Sequence, residues 1–423
     1  MDMPDSGNIL AIEGDKLDRL TDLPINVIHQ IQDNISIEDA ARMSVLSRTW
    51  RYIWASKPKL VFDTQFCTKR PPSNTIDTIS TILSQHHGSI KIFFVDISVI
   101  HSSQHSVVNQ WMQFLSRNGL MNLTIENQNS GGAPYKLPSY VYDVELQRLS
   151  LSNCIFRPPC HFRGFHKLRV LLLIRVSFEL DIVTSSLWML NLVNLGFQKC
   201  SGVRFLNIYA PKVAYLRLID CGIDTLNLSP FMNSEKMRFF TIASENEVSL
   251  KTQDKAMKLT DLLSSWPNLS YLIYGRCFLK FLPSGTGEES PPMRLTGLRG
   301  LYLCDYDFGS KDQTFASGQR KKNDMEVDVY SFQEPDYKTQ QLDNLKILKI
   351  HRLCGSRDEL RFISFILSSA PLLQKAILLV DTSVSESQSL KISEELMRFP
   401  RASPEAEIIY ELPSKEQTRL LRC

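Results

Sequence analysis

The chain has 423 residues, 43% of them apolar, and a formal charge of only +3. That length holds several domains or one elongated one, and so small a charge argues against nucleic-acid or membrane-surface binding driven by bulk charge. No apolar run reaches the roughly 20 residues of a membrane span. The acidic start Met1-Asp-Met-Pro-Asp5 lacks the basic and apolar regions of a secretory signal. The chain is therefore expected in the nucleus or cytoplasm, with its nine scattered cysteines reduced and its sequons at Asn122 and Asn227 accidental.

Residues 1–15 are polar and expected to be mobile. From Leu17 to Trp54 the spacing predicts three short helices. Asp22 is placed to cap the first, with Pro24 in its opening turn and Leu23, Val27, Ile28 and Ile31 on one face. Ser36 and Asp39 start the second. Leu46, Trp50, Ile53 and Trp54 line the third, which stops near Lys57-Pro58. So small a module cannot bury all these groups in itself. Either it caps the domain that follows, or it keeps an apolar patch for a partner.

The order and spacing of Leu20, Leu23-Pro24, Ile28, Ile31, Ser36-Ile37, Ala40-Ala41, Ser44-Val-Leu-Ser47, Trp50-Arg51 and Trp54 resemble an F-box. That module docks a receptor onto the Skp-type adaptor of a cullin–RING ubiquitin ligase. The resemblance implies adaptor contacts by Leu20, Leu23, Pro24, Ile28, Ile31, Val45, Leu46, Trp50 and Trp54. Gln30 and Gln32 depart from the usual apolar or acidic types and are expected to face solvent.

Leu60-Val-Phe62 reads as a short extended link. A helix–turn–strand unit then recurs. Its first helix carries Ile76, Ile79, Ile82 and Leu83 and ends at His86-His87-Gly88, before a strand over 90–97. The second runs from Val107 to Leu115, and a strand follows at Leu120-x-x-Leu123-x-Ile125. The same spacing returns from Leu146, Leu168, Leu192, Val213, Met237, Leu269, Leu298 and Leu345, with separations of 22, 24, 21 and 24 residues between Leu146 and Met237. This is the period of leucine-rich repeats, whose units bury their apolar faces only by stacking. Cys154, Cys200, Cys221 and Cys277 follow strands, where such repeats need a residue that satisfies turn backbone, so a structural role outweighs a metal or redox one. The run 262–272 also aligns without a gap with 366–376.

Residues 305–340 break the period. They are polar and charged, and read as an exposed flexible insertion in which Arg320-Lys-Lys322 is solvated charge. Beyond them Ser356 and Glu359 form a capping box for a helix bearing Leu360, Ile363, Ile366 and Leu367, ended by Pro371. A short helix over 390–399 and a strand over 407–410 follow. The run Phe399-Pro-Arg-Ala-Ser-Pro-Glu-Ala-Glu-Ile-Ile-Tyr410, with Ala370-Pro371, is similar to the FBD segment that ends many plant F-box proteins. The Tyr135-Lys-Leu-Pro138 and Phe162-Arg-Gly-Phe165 segments resemble that class too.

The expected fold is α/β. Mobile residues 1–15 precede an F-box (16–60) and a leucine-rich-repeat solenoid with a curved parallel sheet (61–304). The insertion (305–340) and an FBD-like cap (341–423) complete it.

Hydrolase, kinase and zinc-protease motifs are absent, and Ser284-Gly-Thr-Gly287 has no following Lys. His101 and His105 lack a third metal ligand. No enzyme activity, metal or cofactor is expected. The strand positions flanking the buried ones should instead form a concave binding face. They are Arg148, Ser150 and Ser152; Val170, Leu172 and Ile174; Asn194, Gly196 and Gln198; Tyr215 and Arg217; Tyr271 and Ile273; Gly300 and Tyr302. Of these Arg148, Leu172, Tyr215, Arg217, Tyr271 and Tyr302 are the candidate target contacts, suited to a protein or to a bridging small molecule. A loop or the FBD segment covering Val170, Leu172 and Ile174 is the competing expectation.

Two functional readings follow. In one, the chain is a substrate receptor of a Skp–cullin–F-box ligase, joined to cullin through the adaptor, with no role toward nucleic acid or membrane. In the other, it is an interaction scaffold outside any ligase.

Overall fold

The structure is a computed structural model that describes residues 23–45, 48–128, 132–179, 186–202, 207–221, 231–243, 263–275, 296–303 and 342–411. Asp22, Leu20, Leu46, Cys277 and the 305–340 insertion lie outside these residues.

Three helices open the described chain: α1 (Ile25–Asn34), α2 (Ile37–Met43) and α3 (Arg48–Ala55). Pro24 does not sit in the first turn, as the spacing suggests, but just before it. Its extended ψ of 140° excludes it from the helix, and its carbonyl takes the first bond, from Val27 at 2.8 Å. Ser36 caps α2 by accepting from the Asp39 amide at 3.1 Å.

Thirteen strands among the described residues pair into one sheet in chain order. They are Lys59–Phe62, Ile92–Asp96, Asn122–Glu126, Arg148–Ser152, Val170–Ile174, Asn194–Gln198, Tyr215–Ile219, Phe239–Ala243, Tyr271–Tyr274, Gly300–Leu303, Ile347–Leu353, Lys375–Val380 and Glu407–Glu411. Every pairing is parallel. Parallel neighbours need a crossover between them, and the repeat supplies one per unit. The first strand is the segment the sequence suggests as a link. It pairs with Ile92–Asp96 because Leu60 and Phe62 alternate into the same core as Phe93 and Val95.

Helices cross over early in the sheet: α4 (Thr64–Thr68), α5 (Pro72–Ser84) and α6 (His105–Ser116). Farther on, the crossovers among the described residues include short parallel ladders. One joins Tyr135–Lys136, Cys154–Phe156 and Ser177–Phe178, and another joins Ser186–Trp188 with Asn207–Tyr209. Tyr142 packs edge-on against Phe156 of the first ladder and against Phe162, and stacks on Phe165. Gly164, at φ +125°, lets the backbone pass where a Cβ would lie 2.3 Å from the Trp188 carbonyl oxygen.

Each strand's inward positions feed one core. Leu149, Leu151, Leu195, Phe197, Leu348 and Leu378 are all fully buried there. The repeat turns need left-handed backbone at Asn153, Arg175, Lys199 and Asp220, with φ of 49° to 51°. Cys154 and Cys200 come next and donate their thiols to strand-end carbonyls, Cys154 to Ser152 at 3.3 Å and Cys200 to Leu173 at 3.3 Å. The C-terminal segment extends the same sheet through α7 (Arg357–Ser369) and α8 (Glu386–Arg398). Ser356 and Glu359 form the expected capping box. A second box, Ser385 with Gln388, starts α8 four residues ahead of the expected Leu390.

Candidate functional site

The helical module has its own small core. Ile28, Trp50 and Ile53 are at most 1% exposed and pack apart from the main cluster, with Leu23, Ile31 and Met43 half-buried against them. Of the expected adaptor contacts, Ile28 and Trp50 are thus internal and offer a partner no surface in this conformation. Trp54 is half-buried against the main core instead. Pro24 is exposed, and Val45 is 78% exposed. Among the described expected contacts, the apolar rim left accessible is therefore Leu23, Pro24, Ile31 and Val45.

The module is fixed to the sheet by polar contacts. Glu38 on α2 accepts from Lys69 at 3.0 Å and Arg70 at 2.7 Å, and these hydrogen bonds hold its carboxyl below the ordinary value. The Arg70 guanidinium also lies 4.6 Å over the Phe66 ring. Lys57 Nζ donates to the Ile35 carbonyl at 3.3 Å. The Lys57 carbonyl in turn lies 2.9 Å from Nε2 of buried His86. Burial lowers the pKa of this imidazole, so the ring is neutral and Nε2–H donates. Ile37 joins the main core below these contacts.

The second surface is the open face of the sheet. Register places Arg148, Val170, Asn194, Tyr215, Phe239, Tyr271 and Gly300 in one row. A parallel row holds Ser150, Leu172, Gly196, Arg217, Thr241, Ile273 and Tyr302. Within the first row the rings stack. Tyr215 and Phe239 lie 4.6 Å apart at 12°, and Phe239 and Tyr271 lie 4.7 Å apart at 8°. Tyr302 tilts against Tyr271 at 6.4 Å. Gly300 makes room for this arrangement, since a Cβ there would lie 2.6 Å from the Tyr271 ring. Burial, and then the Tyr271 phenol, raise the Tyr302 pKa, so its hydroxyl stays a neutral donor.

Among the expected target contacts, Arg148, Tyr215 and Arg217 are exposed, while Leu172, Tyr271 and Tyr302 are half-buried. Val170, Leu172 and Ile174 are each half-buried rather than sealed. The sequence reading misses Phe239, the middle ring of the ladder. Its signal is the outward slot one residue before Phe240, in the same register as Tyr215 and Tyr271. Gly196 is buried at an outward position because the Leu172 side chain lies across it.

The remaining chemistry candidates have structural partners. His101 accepts from the Ser103 amide at 3.3 Å, and His105 packs edge-on against Tyr135 at 5.3 Å. Among the described residues no group of three or more His, Cys, Asp or Glu could hold a metal ion, and no helix is long and apolar enough to cross a membrane.

Three family models match the chain: the F-box domain over residues 20–62, the At1g61320/AtMIF1 LRR domain over 82–277 and FBD over 342–378. Similarity to Arabidopsis thaliana proteins runs the length of the chain. It is 27% identical to F-box/FBD/LRR-repeat protein At1g13570 over 94% of this chain and 99% of that one. It is 22% identical to F-box/LRR-repeat protein 13 over 97% and 100% of the two chains. F-box/FBD/LRR-repeat protein At1g78750 is also 22% identical, over 93% and 96%.

Proposed function

Because this chain is an F-box/leucine-rich-repeat/FBD protein, we propose that it is the substrate-recognition subunit of a Skp–cullin–F-box ubiquitin ligase in the nucleus or cytoplasm. The F-box binds a Skp-type adaptor, and through it cullin, while the open sheet face binds the target. The receptor makes and breaks no covalent bond. It raises the target's effective concentration at the ubiquitin-charged enzyme, which turns a bimolecular encounter into a local one.

The observation that carries this reading is the separate Ile28–Trp50–Ile53 core, which leaves Leu23, Pro24, Ile31 and Val45 accessible beside it. Were the module only a cap, its apolar rim should be spent on the sheet. Co-purification with a Skp-type adaptor tests the reading. Leu23→Ala with Pro24→Ala is expected to abolish adaptor capture while the chain stays soluble. Capture at unchanged strength contradicts it.

One observation favours the scaffold reading. Ile37 enters the main core and Glu38 binds Lys69 and Arg70, so α2 does close the first edge of the sheet. Mixing purified chain with adaptor separates the two readings, since a scaffold outside any ligase binds none.

A further inference from the structure

The aromatic ladder Tyr215–Phe239–Tyr271 differs from an ordinary binding platform. Its rings lie face to face at 4.6 and 4.7 Å, within 12° of parallel, so they cover one another's faces. What such a stack turns outward is ring edge. An aromatic ring is negative on its face and positive at its edge, so the ladder offers a weakly positive rim. Tyr215 and Tyr271 add phenol hydroxyls, which can donate.

Charge on the five strands that carry the ladder and continue beyond it has one sign. Residues 215–219, 239–243, 271–274, 300–303 and 347–353 contain no Asp or Glu. Their outward positions include exposed Arg217 and half-buried Lys349. The residues leading into these strands hydrogen-bond in register through their backbones, from Ala214 through Arg238, Ser270 and Arg299 to Lys346, and three of the five are cationic. Arg217 and Lys349 thus put two cations at outward positions of this face, and Arg238, Arg299 and Lys346 add three more at the strand entrances beside it. Arg217 and Lys349 lie four strands apart, about 19 Å at the usual strand spacing. An extended chain of about six residues covers that distance.

We infer that this face binds an extended acidic peptide segment, with carboxylates against Arg217, Lys349 and the ring edges of Tyr215, Phe239 and Tyr271. Single-stranded nucleic acid would share the need for cations, but it binds by stacking bases on free ring faces. Here the middle ring is stacked on both sides. The inference deepens the receptor reading by giving the target's docking segment a chemistry, and rests on it only in taking this face as the target's.

The test uses the full chain and three labelled probes: a peptide of alternating Glu and Leu, its Gln counterpart, and oligouridylate. The expected result is binding of the Glu peptide about tenfold tighter than of the Gln peptide, weakening as salt rises. Arg217→Glu with Lys349→Glu should remove binding of the Glu peptide while melting temperature and adaptor capture stay as in the parent chain. Equal affinity for the Glu and Gln peptides, in the unsubstituted chain alone, overturns the inference. So does oligouridylate binding more tightly than the Glu peptide. A chain that binds the Glu peptide but captures no adaptor leaves this inference standing and removes the ligase reading.

Discussion

Glu38 on α2 takes a 2.7 Å hydrogen bond from the Arg70 guanidinium, joining the F-box helices to the first repeat. Glu38 is 17% exposed and Arg70 33%, so the pair is partly shielded. Glu38→Gln removes the charge and should cost about 1 kcal/mol at this junction. The loss should appear as faster amide exchange in α2, with the strands Leu195 and Leu216 belong to unchanged.

The same junction is sensitive to acid through His86. Burial keeps its pKa below the ordinary 6.5 even though the Lys57 carbonyl pulls the other way. An unfolded chain takes up that proton near pH 6.5, whereas the folded one resists it, so stability falls as pH drops below about 6.5. His351 acts in the same direction. Burial, and then the charge of Lys349, hold it at about 4. Its contribution is complete above pH 6.5 and is lost between there and about pH 4. Melting temperature against pH should decline over that window, and His351→Leu should flatten the decline.

Asp381 governs a lower window. Burial pushes its carboxyl up, but hydrogen bonds from Ser383 and Arg352 outweigh burial and hold it at about 2. Its stabilisation is present above the ordinary carboxylate value of 3.8 and disappears as pH falls toward about 2. Asp381→Asn should weaken the turn between the Lys375–Val380 strand and α8 at neutral pH, read as increased proteolysis there, with no further loss on acidification.

Gly300→Ala tests the ladder's geometry. The added methyl would meet the Tyr271 ring at 2.6 Å and the Tyr302 ring at 2.9 Å, so both must move. A cost of about 1–3 kcal/mol is expected for such overpacking. Near-ultraviolet circular dichroism should report the displaced tyrosines.

Reactivity distinguishes the cysteines. Burial pushes the thiols of Cys67 and Cys154 up to about 12, while Cys160 and Cys354 are exposed. Brief alkylation of the native chain followed by peptide mass spectrometry should label Cys160 and Cys354 and spare Cys67 and Cys154.

The repeat register was legible because a period-two strand flanked by buried leucines fixes which residues turn outward. Tyr215, Arg217, Tyr271 and Tyr302 lie in the rows their spacing predicts. What the pattern does not carry is how neighbouring outward side chains meet. Phe239 looks ordinary until Tyr215 and Tyr271 flank it, and Gly196 and Gly300 look open until Leu172 and Tyr271 lie across them. In the F-box, residue type alone did not separate Ile28 and Trp50, which hold the helices together, from Val45, which holds nothing within this chain's core. That division depends on how three helices close on one another, which spacing leaves open. Leu60-Val-Phe62 reads as a link for a similar reason, since its partner strand lies thirty-three residues farther on.

We read the accessible F-box rim as an adaptor surface, and Val45 is its sharpest probe. At 78% exposure it contributes little to the fold, so Val45→Glu should leave the melting temperature unchanged. Isothermal titration of purified Skp-type adaptor into the Val45→Glu chain should show affinity at least about tenfold below that of the parent, a loss of roughly 1.4 kcal/mol. A control change at Leu390, exposed at the other end of the chain, should have no effect. Equal affinity for the parent and Val45→Glu chains, or no heat of binding with either, would contradict the account.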